Sequence, residues 1–218
     1  MTSNAQAGTH ILGRLRSAYG KGVVRMEDRF DTDVADVWSA LTDPSRLARS
    51  MRSLGTALGI PVSDAEARAF ATSVPDWPAF PDSADALARL GRRYKLIILS
   101  NVDRTSFAGS NRRLGTTFAS ILTAEDVGSY KPSPRNFVAL LIEAARLGIP
   151  EGKLLHVAQS LFHDHVPAKA AGLPSVWINR RHGKPGSGAT PEPRAEVTPD
   201  WTFPSMAAFA DAVETESR

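Results

Sequence analysis

Polar side chains that could hold an anion follow three segments of the sequence that are predicted to be strands. Ser100 and Asn101 come directly after YKLIIL, and their hydroxyl and amide groups could donate to a carboxylate or phosphate oxygen. Lys131 lies in GSYKP, where the proline turn would fix a positive counter-charge. Asp164 follows KLLHV and could hold Lys131 in place or bind a metal ion. Because ligands bind beyond the carboxyl ends of parallel strands, we expect these side chains to share a site.

Each of these residues also has an ordinary structural interpretation when it is taken alone. Ser100 and Asn101 favour turns at strand ends. Lys131 could be a solvated surface lysine, and Asp164 could cap a short helix that begins near Val166. Taken one at a time, the residue types favour these structural roles.

The elements that would position the polar residues alternate between helices and strands from Ile60 onwards. This alternation predicts an α/β fold with a parallel, doubly wound sheet. The first fifty residues differ, because Gly22–Phe30 alternates as a half-exposed antiparallel strand does. The predicted helices are 44–58, one beginning at Asp64, 81–91, 136–147, 166–171 and a final turn and helix within 201–213, and the predicted strands are 94–99, 119–123, 153–157 and 174–179.

Composition and charge exclude several classes of protein. The 218 residues carry 26 Lys and Arg against 23 Asp and Glu, and a net charge of +3 is a weak signal for nucleic-acid binding. The absence of cysteine excludes a disulfide framework, a thiolate metal site and a cysteine nucleophile. The sequence has neither an apolar run of membrane-spanning length nor a secretory h-region. We therefore expect a cytoplasmic protein without nucleic-acid or membrane partners.

The order and spacing of the polar residues resemble a known superfamily. Ser100 and Lys131 are 31 residues apart, and Lys131 and Asp164 are 33 residues apart. This spacing resembles motifs II, III and IV of the haloacid dehalogenase (HAD) superfamily. The resemblance is closest to the haloacid-dehalogenase type II branch, through WPAFPDSADALARL, LIILSNVDRTSF, LTAEDVGSYKPSPRNF and LLHVAQSLFHDHVPAKAAGLPSVWINRR. It covers about residues 54–213 and implies a Rossmann-like HAD fold.

The resemblance also implies a role for each matching residue. Ser100 and Asn101 would bind the substrate anion, and Lys131 would orient a nucleophilic aspartate. Asp164 would anchor Lys131 or, as in phosphatase relatives, a magnesium ion. Gln159 stands where those relatives usually carry an acid, which weakens a magnesium site because Mg²⁺ prefers anionic oxygens. The implied reaction is therefore hydrolysis of a carbon–halogen bond in a small 2-haloacid through an aspartyl ester, with no cofactor.

The nucleophile that this reaction requires has one nearby candidate, Asp31 in FDTDV, with Asp33 beside it. A strand buried on both faces rarely carries charges, yet the preceding strand holds Arg25, Glu27, Asp28 and Arg29. The alternative is a strand-to-helix junction with a capping acid. We therefore expect the motif I strand to be missing or replaced, the helical cap to be incomplete and catalysis to be impaired.

Residues 10–49 resemble a different family, the START-like (SRPBCC) domains. The resemblance rests chiefly on Val37-Trp38, on ALTDP and on Leu47-Ala48, and it stops near Ser50. No ligand-binding role follows from it, because the rest of such a domain has no counterpart here. We predict an N-terminal segment at 1–50, a HAD-like domain at 51–213 with a partial helical cap at 51–80, and a flexible loop at 182–199.

The missing nucleophile leaves other functions open. One alternative is a non-catalytic anion-binding or interaction protein that keeps the pocket of Ser100, Lys131 and Asp164. Another is a magnesium-dependent HAD phosphatase, which the absent second acid disfavours. His163 and His165 suggest a metal site, but such a pair on a short loop is more often packed or solvated, so neither is assigned. Removing a central strand opens the sheet, and a homodimer would be one way to compensate.

Overall fold

The computed structural model describes residues 12–18, 21–27, 44–150, 152–183, 192–193 and 196–216, the first two stretches as backbone only. Helices and strands alternate along these residues, which confirms the predicted α/β class. The helices are α1 Pro44–Leu58, α2 Asp64–Ala71, α3 Ser83–Gly91, α4 Arg104–Leu114, α5 Ala124–Val127, α6 Pro134–Arg146, α7 Val166–Ala170 and α8 Met206–Glu216. The strands are β1 Leu12–Ala18, β2 Lys21–Glu27, β3 Ile97–Ser100, β4 Ser120–Thr123, β5 His156–Ala158, β6 Ser175–Ile178 and β7 Trp201–Phe203.

The N-terminal strands form a hairpin. β1 and β2 pair antiparallel, from Leu12 opposite Glu27 to Ala18 opposite Lys21. This pairing confirms the antiparallel strand that the alternation near Gly22 predicts. Residues 28–43 lie outside the described residues, and so does the strand-to-helix junction considered there as an alternative to a nucleophile.

The remaining strands form two parallel sheets. β3 pairs with β4, and β6 lies between β5 and β7. All three of these pairings are parallel, which confirms the predicted parallel sheet. Ser100 lies at the carboxyl end of β3 and Asp164 follows β5, so the predicted site residues follow strands of both sheets.

Helices pack on both faces of the parallel strands. Leu96 contacts a core cluster built from α3, α8 and β6, whereas Ile97 and Leu99 contact a cluster built from α6 and α7. Successive side chains of a strand point to opposite faces, so the two clusters lie on opposite sides of the sheet. This arrangement is the doubly wound architecture that the sequence predicts.

Among the described strands, β3 and β5 each lie at an edge of their parallel sheet. The carbonyl of Leu96 accepts from the N–H of Ala119 and therefore faces β4. Because backbone groups alternate along a strand, those of Ile97 and Leu99 face the other edge of β3. By the same reasoning Val157 faces the edge of β5 opposite β6. All four residues of β3 are half-buried.

Helices α1 and α2 form a separate pair. Leu47 and Ala48 of α1 pack against Ala67 and Ala71 of α2. α1 continues through the predicted domain boundary at residues 50 and 51, and the predicted division into domains stays a prediction. None of the described helices combines the length and the apolar character that crossing a lipid bilayer requires.

Candidate active site

Lys131 and Asp164 form a buried ion pair beyond the carboxyl ends of β3 and β5. The Lys131 Nζ lies 2.6 Å from the Asp164 Oδ1, and each side chain is 10% exposed. The same Nζ donates to the carbonyl of Leu99 at 2.8 Å, at the edge of β3 that no described strand covers. An ammonium has three N–H donors, and these contacts account for two of them. The predicted meeting of Lys131 and Asp164 is therefore present in the structure.

Asp164 is held in its charged form by two neighbours. Burial alone would raise the pKa of its carboxyl, but the positive charge of Lys131 and a hydrogen bond with His156 outweigh burial and hold that pKa well below its ordinary value. The His156 Nε2 lies 3.1 Å from the Asp164 Oδ1. Both donors thus converge on one carboxylate oxygen.

His156 is the site residue that sequence reasoning missed. It lies within the strand KLLHV, where a single histidine indicates a packed core residue. A usable signal was present, because a polar side chain in a strand expected to be buried needs a hydrogen-bond partner. Asp164, eight residues further along the chain, is that partner.

Asn101 fixes the backbone of Lys131. Its Nδ2 donates to the Lys131 carbonyl at 2.9 Å, and its Oδ1 accepts from the Lys131 N–H at 2.7 Å. Asn101 is buried, so these bonds are shielded from water. Ser100 is half-buried and pairs in register with Thr123 of β4. The roles of Ser100 and Asn101 as ligands for a substrate anion stay predictions.

The turn that carries Asp164 is packed and polar. It is a single π-helical turn, Leu161–His165, in which the His163 N–H donates to the Ser160 hydroxyl. The His163 Nδ1 lies 3.0 Å from the Ser160 Oγ, and the His165 Nδ1 lies 3.0 Å from the Ser175 Oγ. Burial lowers the pKa of both histidines, that of His163 to about 4. Both are therefore neutral, packed residues at neutral pH.

The donor set around Asp164 does not fit a magnesium ion. The Asp164 Oδ1 already accepts from Lys131 and His156. β5 leads into Ala158 and Gln159, so no second carboxylate follows the strand. Across the part of the chain that the structure describes, no group of three or more His, Asp or Glu side chains could hold a metal ion.

Asp31 and Asp33 lie outside the described residues, so the structure places neither of them. The described residues bring together the predicted Lys131 and Asp164, with Asn101 beside them. The nucleophile candidate is the one predicted catalytic residue whose position the structure does not give.

A family model described as haloacid dehalogenase-like hydrolase matches residues 5–172. The match covers well over half of the chain, and the protein belongs to this family of hydrolases. The matched range includes residues 10–49, whose resemblance to START-like domains no comparison tests. No curated protein sequence matches the chain.

Solved structures of similar fold include several dehalogenases. The L-2-haloacid dehalogenase PA0810 is 19% identical with a TM-score of 0.65, over 80% of this chain and 72% of the other. An L-2-haloacid dehalogenase from Xanthobacter autotrophicus, with chloropropionic acid covalently bound, is 19% identical with a TM-score of 0.63, over 78% of this chain and 75% of the other. The HAD-hydrolase YfnB from Bacillus subtilis, bound to magnesium, is 16% identical with a TM-score of 0.62, over 83% of this chain and 78% of the other. At these identities the similarity defines the fold alone.

Proposed function

We propose that this hydrolase cleaves the carbon–halogen bond of a small 2-haloacid through an aspartyl ester, with Asp31 as the nucleophile. The observation that carries the proposal is the buried Lys131–Asp164 ion pair beyond β3 and β5, with Nζ and Oδ1 2.6 Å apart. A lysine held there supplies positive charge for the nucleophile, the substrate carboxylate and the departing halide. Similarity in fold to L-2-haloacid dehalogenases is consistent with this chemistry.

The reaction has two steps. A carboxylate oxygen of Asp31 attacks C2 of the 2-haloacid, and the halide leaves with the electron pair of the carbon–halogen bond. Water then attacks the carbonyl carbon of the ester and loses a proton to solvent. The C–O bond between that carbonyl carbon and the ester oxygen breaks, which releases a 2-hydroxy acid and restores the carboxylate. Lys131 orients the attacking carboxylate, and Asp164 keeps Lys131 in place. The Ser100 hydroxyl and the second N–H of the Asn101 carboxamide, whose first N–H donates to the Lys131 carbonyl, bind the substrate carboxylate.

A phosphatase reaction is the less favoured candidate. It would need a magnesium ion to neutralise the phosphoryl oxygens. The Asp164 Oδ1 is instead committed to Lys131 and His156, and Gln159 stands where a second acid would be needed. Displacement of a halide from carbon does not require a metal ion.

The proposal predicts chloride release from 2-chloropropionate in buffer that contains a metal chelator. Asp31→Asn should lose about a thousandfold or more in kcat, because the nucleophile is removed. Asp33→Asn is the matched control and should stay within about threefold of the wild type. Equal activity of the wild type and Asp31→Asn, measured with a chloride electrode, would exclude Asp31 as the nucleophile.

A second candidate function is anion binding without turnover. It is favoured by the Lys131 ammonium, whose contacts with Leu99 and Asp164 account for two of its three N–H donors. In that case lactate or phosphate raises the melting temperature of the wild type and not of Lys131→Met, while 2-chloropropionate releases no chloride. Chloride release by the wild type excludes this function.

Assembly and location complete the proposal. We propose a homodimer located in the cytoplasm, acting on a small anionic substrate. Support for self-association comes from α6, where Val138 and Ile142 are one turn apart and are 55% and 65% exposed. Light scattering of the purified chain tests the dimer, and a monomer at micromolar concentration would contradict it.

A further inference from the structure

We propose that His156 is a positioning residue of the active site, which acts by sharing the charge of Asp164 with Lys131. This inference rests on the proposed function, because it adds a residue to the same site. The key observation is that one atom, the Asp164 Oδ1, lies 2.6 Å from the Lys131 Nζ and 3.1 Å from the His156 Nε2. All three side chains are buried.

The position of the His156 ring is fixed by the fold. Its backbone N–H donates to the carbonyl of Pro174 at 3.0 Å, which ties the residue into the β5–β6 pairing. Its ring lies against Phe137 of α6, with centroids 5.2 Å apart. A strand on one side and an aromatic ring on the other leave the imidazole little freedom. The short approach to Asp164 is therefore a feature of the folded core.

The contact determines where the imidazole carries a proton. An ionised carboxylate can only accept hydrogen bonds, so the His156 Nε2 must be the donor. The neutral tautomer with its proton on Nε2 satisfies this requirement, and so does the imidazolium. In either form the proton is held at Nε2 and is aimed at the Asp164 Oδ1.

Because Lys131 and His156 share the Asp164 Oδ1, His156 affects the position of the Lys131 ammonium. If Asp164 had Lys131 as its single donor, its whole charge would draw the ammonium towards the interior. His156 takes part of that charge through a hydrogen bond, and Lys131 remains divided between Asp164 and the Leu99 carbonyl. The ammonium is thereby held at the edge of β3 opposite β4, where the reacting groups would meet.

Two substitutions separate this role from simple packing. His156→Gln keeps a side-chain N–H at a position close to that of Nε2, whereas His156→Phe keeps an aromatic ring against Phe137 and removes the donor. His165→Gln is the matched control, because His165 is also buried beside the site but bonds to Ser175 and Ala158. With 2-chloropropionate, we expect kcat to fall by about 10- to 100-fold in His156→Phe, with KM within about threefold. His156→Gln and His165→Gln should retain kcat within about threefold.

A second readout does not require turnover. In ¹³C NMR spectra the titration of the Asp164 carboxyl should move to higher pH in His156→Phe and stay in place in His156→Gln, because only the former loses the hydrogen bond. Long-range ¹H–¹⁵N spectra of the wild type should show the Nε2 of His156 protonated. If 2-chloropropionate releases no chloride but these NMR results are obtained, the contact between His156 and Asp164 is established and the proposed function alone fails. The inference is overturned if the Asp164 carboxyl titrates at the same pH in His156→Phe as in the wild type. It is also overturned if the Nε2 of His156 is unprotonated at neutral pH.

Discussion

Replacing Asp164 by Asn tests whether the ion pair is as buried as the structure describes. The substitution keeps an oxygen that can accept from Lys131 and His156 but removes the negative charge opposite a buried ammonium. Removing one partner of a buried pair costs about 3–5 kcal/mol, because the other charge is left uncompensated. Both side chains are 10% exposed, so solvent offers little screening. We expect the lower end of that range, about 3 kcal/mol, because the hydrogen bonds can persist.

The assay for this prediction is urea unfolding followed by circular dichroism. The midpoint should fall while the slope stays that of the wild type, since the surface exposed on unfolding is unchanged. Asp211→Asn is the matched control: it breaks a 2.6 Å ion pair with Arg89, but Asp211 is 68% exposed and Arg89 keeps Glu214. That control should cost less than about 1 kcal/mol.

A double-mutant cycle isolates the interaction between the two buried charges. The double variant Lys131→Met/Asp164→Leu removes both charges. Its loss in free energy of unfolding should be smaller than the sum of the losses in the two single variants, by about 1–3 kcal/mol. A loss below about 1 kcal/mol in Asp164→Asn, equal to that of Asp211→Asn, would refute the reasoning from burial.

Two further predictions concern stability. Burial lowers the folded pKa of His163 from 6.5 to about 4, so the unfolded chain binds a proton first as the pH falls. The free energy of unfolding should therefore decline from about pH 6.5 to about pH 4, and His163→Asn should flatten that decline in urea titrations. Gly109 of α4 packs so closely on Pro75 that a Cβ would lie 2.8 Å from its carbonyl oxygen. Gly109→Ala should lower the free energy of unfolding by about 1–3 kcal/mol, and an unchanged melting temperature would contradict the packing described.

The sequence allowed the meeting of Lys131 and Asp164 to be predicted for a physical reason. Both follow strands of a predicted parallel sheet, and parallel strands bring their carboxyl ends to one edge. Several helices were also predictable, because apolar periodicity and end signals mark them: α1 has the predicted limits 44–58. Helices α4 and α5 were not predicted. Strand limits were less predictable, since β3 begins at Ile97 and the exposed Tyr94 lies outside it.

The finer contacts of the site could not be derived from residue types. Asn101 was predicted to face a substrate anion, and its carboxamide bonds to the backbone of Lys131. A carboxamide serves either purpose, so only the geometry assigns its partner. His156 was overlooked because its partner is supplied by a turn whose π-helical form the sequence does not indicate.

The most direct test of the central claim is a single turnover of 2-chloropropionate in H₂¹⁸O with enzyme in excess, followed by tryptic mass spectrometry. If water hydrolyses an aspartyl ester, one ¹⁸O enters the enzyme carboxylate, and the 2-hydroxy acid of the first turnover carries none. We predict the label in the peptide of residues 30–46, on Asp31. Label in the 2-hydroxy acid with an unlabelled enzyme would mean direct attack by water on carbon and would contradict the account.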